Sequence, residues 1–304
     1  MEYEQEGLKV LDSSLSHLKW RLKASARRRL ETDILALCTE MRPVIMVDYG
    51  GKMPELQQRL CALLKLCQKE SSFFEHLRIM IIEDMIYLVH VRGLAEHVHS
   101  SLNSELPLLF VNLEEDPPKM ITQAEKSPVA IQLLSIQKLF SSLFPLGGGM
   151  ENDLVSCHRI NYTGGAKFPV DNLTNPQSSE FIDLSSCMQD TQVTIPTLNG
   201  WILGYPIVYL FSKEHISEAI HNLSTKPLHL FKISVCRNST PSKGSQEEEL
   251  LSFSVPYDLS MLGSNEEWSR VYLTHMQTKW QKCKHVWSSL RMDVSEYPPQ
   301  AIVL

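Results

Sequence analysis

Asp48, Gly50 and Gly51 are the residues of this chain whose types and spacing come closest to chemistry. They close the stretch Pro43-Val44-Ile45-Met46-Val47-Asp48-Tyr49-Gly50-Gly51, where an apolar β-branched run stops at an acid and two glycines. Glycine lets backbone N–H groups approach a phosphate, and a following helix adds donors and the positive end of its dipole. In such a loop Asp48 would hold a metal ion or a ribose hydroxyl. The plainer reading makes Gly50-Gly51 a tight turn whose N–H groups Asp48 satisfies. Neither G-x-G-x-x-G nor G-x-x-x-x-G-K-Ser/Thr accompanies the loop. No second acid stands nearby in sequence for metal-dependent phosphoryl transfer.

The other reactive types form weaker sets. His97-Val98-His99 is the densest histidine pair, but on a helix residues two apart face away from each other. Cys157-His158 and Cys283 with His285 share that weakness, and no C-x-x-C occurs, so no metal or other cofactor is expected. No G-x-S-x-G elbow promotes a serine to nucleophile. Lys19, Arg21, Lys23, Arg27, Arg28 and Arg29 could meet phosphates, yet acids flank them and the chain carries a net charge of −6. A solvated helix face is the simpler account, and nucleic acid is not an expected partner.

The elements that must position these residues read as a mixture of helices and strands. Pro54 suits the first turn of a helix with Leu56, Leu60, Leu63, Leu64 and Cys67 on one side. Leu15 to Met41 carries apolar residues every three or four positions, which predicts one or two helices before the first strand. Leu77 to His90 predicts two strands about a turn at Glu83-Asp84, and a short helix follows through Leu102. Leu106 to Leu113 reads as a strand covered on both faces, and Pro128 to Phe144 as a helix.

Thr191 to Ile195 predicts a strand, and Asn199-Gly200 a turn into a strand over Trp201 to Phe211. Strands over Leu228 to Cys236 and Leu250 to Val255 follow a helix capped by Ser212. Ser264-Asn265-Glu266-Glu267 reads as a capping box opening a final helix that carries Trp268, Tyr272, Met276, Trp280, Cys283, Trp287 and Leu290 along one side. Its late lysines, Lys279, Lys282 and Lys284, suit the helix dipole.

Trp201-Ile202-Leu203-Gly204-Tyr205-Pro206-Ile207-Val208-Tyr209, Ser252-Phe253-Ser254-Val255-Pro256 and Pro298-Pro299-Gln300-Ala301-Ile302-Val303-Leu304 together carry a resemblance. The chain is similar there to an uncharacterised animal family of unknown function, named from a human chromosome 1 open reading frame. That resemblance implies an identity without an activity, and it brings no site residues.

The expected fold is α/β, a central mixed sheet flanked by helices on both faces. Residues 1–304 are expected to form a single globular domain. A long irregular loop or possible boundary falls at about 146–190, and a variable loop at about 238–249. Composition fits a globular chain, with 43% apolar and 21% charged residues. No run approaches the roughly 18 to 20 apolar residues of a membrane span. The acidic start, Met1-Glu2-Tyr3-Glu4-Gln5-Glu6, is unlike a targeting presequence, so a cytoplasmic or nuclear location is expected. Seven cysteines at irregular spacing fit reduced thiols better than disulfides. With no nucleophile, base or metal cluster assembled, the leading expectation is a non-enzymatic interaction or scaffold protein with an unknown protein partner. The alternative is a divergent enzyme or binding protein for a phosphorylated small molecule, using Asp48, Gly50 and Gly51.

Overall fold

Three helices with one apolar side each begin the chain: α1 (Glu2–His17), α2 (Ala24–Cys38) and α3 (Glu55–Glu70). The computed structural model describes residues 2–104, 108–121, 126–146, 181–238 and 247–302. Between α2 and α3 lies β1 (Val44–Met46), which pairs antiparallel with β3 (Met85–His90). β3 pairs antiparallel with β2 (Leu77–Ile82), across the expected turn at Glu83, and β2 takes β6 (Ile182–Asp183) in parallel.

α4 (Val91–Leu102) follows β3 directly, its first turn capped by the His90 ring, which accepts from Gly93 N–H. A second sheet places β4 (Leu109–Asn112) between antiparallel β5 (Lys119–Ile121) and parallel β7 (Ile207–Leu210). α5 (Pro128–Leu143), α6 (Ile195–Ile202) and α7 (Ile216–Ser224) complete the middle of the chain. The third sheet is an antiparallel order of β10 (Trp287–Tyr297), β8 (Leu228–Arg237) and β9 (Glu247–Pro256), with α8 (Glu267–Lys282) before its last strand.

The fold is therefore mixed α/β, but one central sheet flanked on both faces is not what the strands form. They fall into three small sheets, two of them mixed. The period of two along the strands explains how these sheets organise the core. Ile45, Leu77, Ile79, Ile81, Ile86 and Leu88 join one buried cluster, while Val44, Met80, Ile82, Tyr87 and Val89 join another. β7 alternates in the same sense, Ile207 toward the first cluster and Val208 and Leu210 toward the second. α1, α2, α3, α8 and the third sheet supply the first cluster, and α4, α5 and α6 the second.

Other expectations are also corrected. Trp201 is helical, not on a strand: Thr194 caps α6 through Thr197 N–H, and Pro196 occupies its first turn. Gly200 lies inside that helix because β7 passes too close for a side chain, a Cβ there standing 3.3 Å from Val208 Cα. In place of the strand expected over Thr191 to Ile195 there is an isolated bridge, Val193 to Ser212, and Ile195 opens α6. α8 starts at Glu267 without a side-chain cap, because Glu266 turns back to accept from Leu262 N–H. α8 also stops at Lys282, and Trp287 to Tyr297 pair with β8. The expected irregular segment lies largely outside the described residues, at 147–180, as does most of the variable loop, at 239–246.

Candidate functional site

Two helix ends and one face of α8 enclose a cavity of ≈ 60 Å³, several times the space a single water needs. The first end belongs to α2. Glu40 takes a left-handed backbone (φ 57°), which stops the helix and returns the Arg42 amide to Ala36 O at 3.1 Å. Pro43 then extends the chain into β1, leaving the Arg42 side chain inside the fold.

The second end belongs to α6. Gly204 (φ +74°) donates to Trp201 O at 2.9 Å and Tyr205 to Gly200 O at 3.1 Å, a Schellman end that needs glycine at its left-handed position. This turn presents three carbonyls to side chains from elsewhere. Trp201 O accepts from His97 Nε2 at 2.8 Å, Leu203 O from Arg42 Nη2 at 3.3 Å, and Gly204 O from the Tyr272 hydroxyl at 3.1 Å. α8 contributes Trp268, Tyr272, His275, Met276 and Lys279 to the wall, while Leu203, Tyr205 and Leu251 make it apolar.

The electrostatics are one-sided. Arg42 is only 4% exposed and has no carboxylate in contact among the described residues. Its Nη1 donates to Leu250 O at 2.8 Å, but its Nε finds no partner among the described residues. Trp268, which lines the same cavity, holds a second buried donor, Nε1, without one among the described residues. Burial of such groups without acceptors costs about 1–3 kcal/mol each, more when charged.

Lys279 is half-buried. Burial, and then the Arg42 charge, push its ammonium down to about 8 against the weaker pull of Glu96 and Glu40. Burial likewise pushes His97 and His275 down to about 4, so both rings are neutral at pH 7. Because a carbonyl only accepts, the His97 proton sits on Nε2 and its Nδ1 carries a lone pair. A pocket with apolar walls, a buried guanidinium, a lysine of lowered basicity and no lining carboxylate among the described residues has the chemistry to accept an anion with an apolar body.

Asp48, Gly50 and Gly51 lie together on the loop before α3, away from this cavity. Asp48 and Gly51 are exposed. Gly50 has φ +85°, and its carbonyl accepts from Trp20 Nε1 at 3.2 Å. Trp20 and Leu22 fill the inner side of the loop, where a Cβ on Gly50 would come within 3.1 Å of each. Tyr49 donates to Asp33 Oδ2 at 2.7 Å, and Arg29 ion-pairs with the same acid.

The neighbouring arginines are also engaged. Arg27 pairs with Asp12, and Arg28 reaches Glu248 at 2.8 Å. His97 and His99 part company as the helix requires, His99 meeting Asn103. Among the described residues, no group of three His, Cys, Asp or Glu is placed to hold a metal ion.

The sequence did not mark Arg42, Tyr272, His275 or Lys279 as site residues: Tyr272 read as part of the apolar stripe of the last helix and Lys279 as a cation suited to its dipole. One signal existed: Lys279 lies three residues after Met276 and four before Cys283, on the buried side of α8. A family model described as a domain of unknown function (DUF4504) matches residues 12–304. No curated protein and no solved structure matches the chain.

Proposed function

From the premise that this chain belongs to the DUF4504 family of unknown function, we propose that it binds a small organic anion in the cavity between α8 and the ends of α2 and α6. One observation carries this reading. Arg42 and Trp268 line the cavity, and among the described residues each holds a buried N–H group without an acceptor and Lys279 has no ion-pair partner. A carboxylate or phosphate oxygen would satisfy these donors, and Leu203, Tyr205 and Leu251 would cover the rest of the ligand.

Thermal-shift measurements with a panel of small carboxylates and phosphates test it. Ligand at a hundred times its dissociation constant adds about 2.7 kcal/mol of stability. We expect a shift that Lys279→Met and Arg42→Gln weaken and Asp48→Ala leaves unchanged. A shift lost in Asp48→Ala and kept in Lys279→Met would move the ligand to the loop of Asp48, Gly50 and Gly51. A blank panel would remove the reading.

The interaction or scaffold reading draws on a different feature. Met261 and Leu262, in the turn before α8, are each 64% exposed, as apolar residues at a protein contact would be in the free chain.

A further inference from the structure

We infer that Lys279 is a nucleophile: its Nζ forms a reversible imine with a small aldehyde or ketone bearing a carboxylate or phosphate, the anionic group resting on Arg42. The inference rests on the cavity being the ligand site, and it adds a covalent step to that reading. The geometry supplies each part. Lys279 lines a cavity with Arg42, His97, Tyr272 and His275, and no described acid ties its amine into an ion pair.

The charged and titratable groups facing Lys279 come from three elements. His275 and Lys282 share its helix, Arg42 and Glu40 come from the segment between α2 and β1, and His97 and Glu96 come from α4. Burial is the largest influence on the amine, the Arg42 charge acts in the same direction, and the two glutamates each oppose it more weakly than Arg42 does. With the ammonium near 8, roughly a quarter of the amine is neutral at pH 7.5, against about one in a thousand for a solvated lysine. Desolvation beside another cation is the established route to a nucleophilic lysine.

The step balances without an oxidant or reductant. The Nζ lone pair forms a C–N bond to the carbonyl carbon, and the C=O π pair moves to oxygen. The proton lost by nitrogen passes to that oxygen, giving a carbinolamine. A second proton transfer expels the oxygen as water while the C=N bond forms. The apolar wall favours the loss of water.

Glyoxylate, an aldehyde acid, is the test compound. The full chain is incubated with it and cyanoborohydride at pH 7.5, and reduced adducts are mapped by peptide mass spectrometry. We expect Lys279 to be labelled faster than any other lysine by on the order of tenfold or more, given its neutral fraction. Acetate or inorganic phosphate should slow that labelling, and propanal, which lacks an anion, should label Lys279 more slowly than glyoxylate does and keep only the preference that the neutral fraction gives. Lys279→Arg, which keeps the positive charge but has no nucleophilic amine, should give no adduct at that position. Adducts spread evenly over the surface lysines, with the acetate shift intact, would overturn the imine and leave the anion site standing. Absence of both the selective adduct and any acetate or phosphate shift would overturn both.

Discussion

A lysine held in an apolar wall without an ion pair to any described carboxylate costs the folded state, and the pH dependence of that cost is fixed in sign. The folded ammonium titrates near 8 and the unfolded one near 10.4. The unfolded chain therefore binds more protons between these values, and stability rises with pH across that window. Below pH 8 the penalty is fully present; above the unfolded value it is gone. Lys279→Met removes it, so we expect the variant to be more stable than wild type at pH 7 by roughly 1 kcal/mol, the full shift being discounted for partial solvation. The difference should close by pH 10.5, as chemical denaturation at the two pH values will show. An unchanged gap would mean that lost packing, not charge, sets the difference. Lys279 was hard to see in the sequence because it doubles as an ordinary cation in the last turn of α8, where the dipole favours one. Arg42 was hard for another reason: its burial depends on Leu203 and Leu250, more than 150 positions away.

Among the elements, hairpins and amphipathic helices were legible, and long-range pairings were not. Glu83-Asp84 marks the β2–β3 turn because β-branched runs flank it and polar residues interrupt only there. Trp287 continues the α8 stripe at seven residues from Trp280, so periodicity assigns it to the helix. Ten backbone pairings between β10 and β8 outcompete that preference. At Trp201, an apolar run of eleven residues suits strand or helix equally, and the Thr194 cap with Pro196 decides the outcome.

Two substitutions test how these elements are joined. Gly204→Ala forces a side chain into the left-handed turn that ends α6, and should cost about 1–2 kcal/mol by denaturant midpoint. A neutral result would mean that the turn relaxes without its Schellman bonds. Glu248, buried on β9, accepts from Arg28 and Arg237 and meets Thr32, tying α2 to the third sheet. Glu248→Ala leaves two guanidinium groups without that partner and should cost about 2–4 kcal/mol, near the lower range for broken buried pairs because Arg28 is partly solvated. A cost under 0.5 kcal/mol would show that α2 docks through its apolar face alone.

Across the whole molecule, the sequence showed helices and strands in nearly the right order but not how the strands divide into sheets. The reason is physical: apolar runs such as Ile79-Met80-Ile81-Ile82 signal burial on both faces without naming the neighbouring strand. Burial on both faces also makes β2 and β3 common walls of the two clusters. Loss of either cluster strips one face of these strands, so the described parts of the chain should unfold in one cooperative step. Trp287 lies in the first cluster and Trp201 in the second, both fully buried, and each reports on its own side. In protein labelled with 5-fluorotryptophan, the native fluorine resonances of Trp201 and Trp287, two of the chain's five tryptophans, should disappear at the same urea concentration. Val89→Ala opens a cavity only in the second cluster, at a cost of about 1–3 kcal/mol. It should lower both midpoints together, although Trp287 does not share that cluster. If the Trp201 resonance melts first while Trp287 holds its wild-type midpoint, the clusters unfold separately. The cavity would then lie at a movable junction, since its lining draws Leu203 from the second cluster and Leu251, Tyr272 and Met276 from the first.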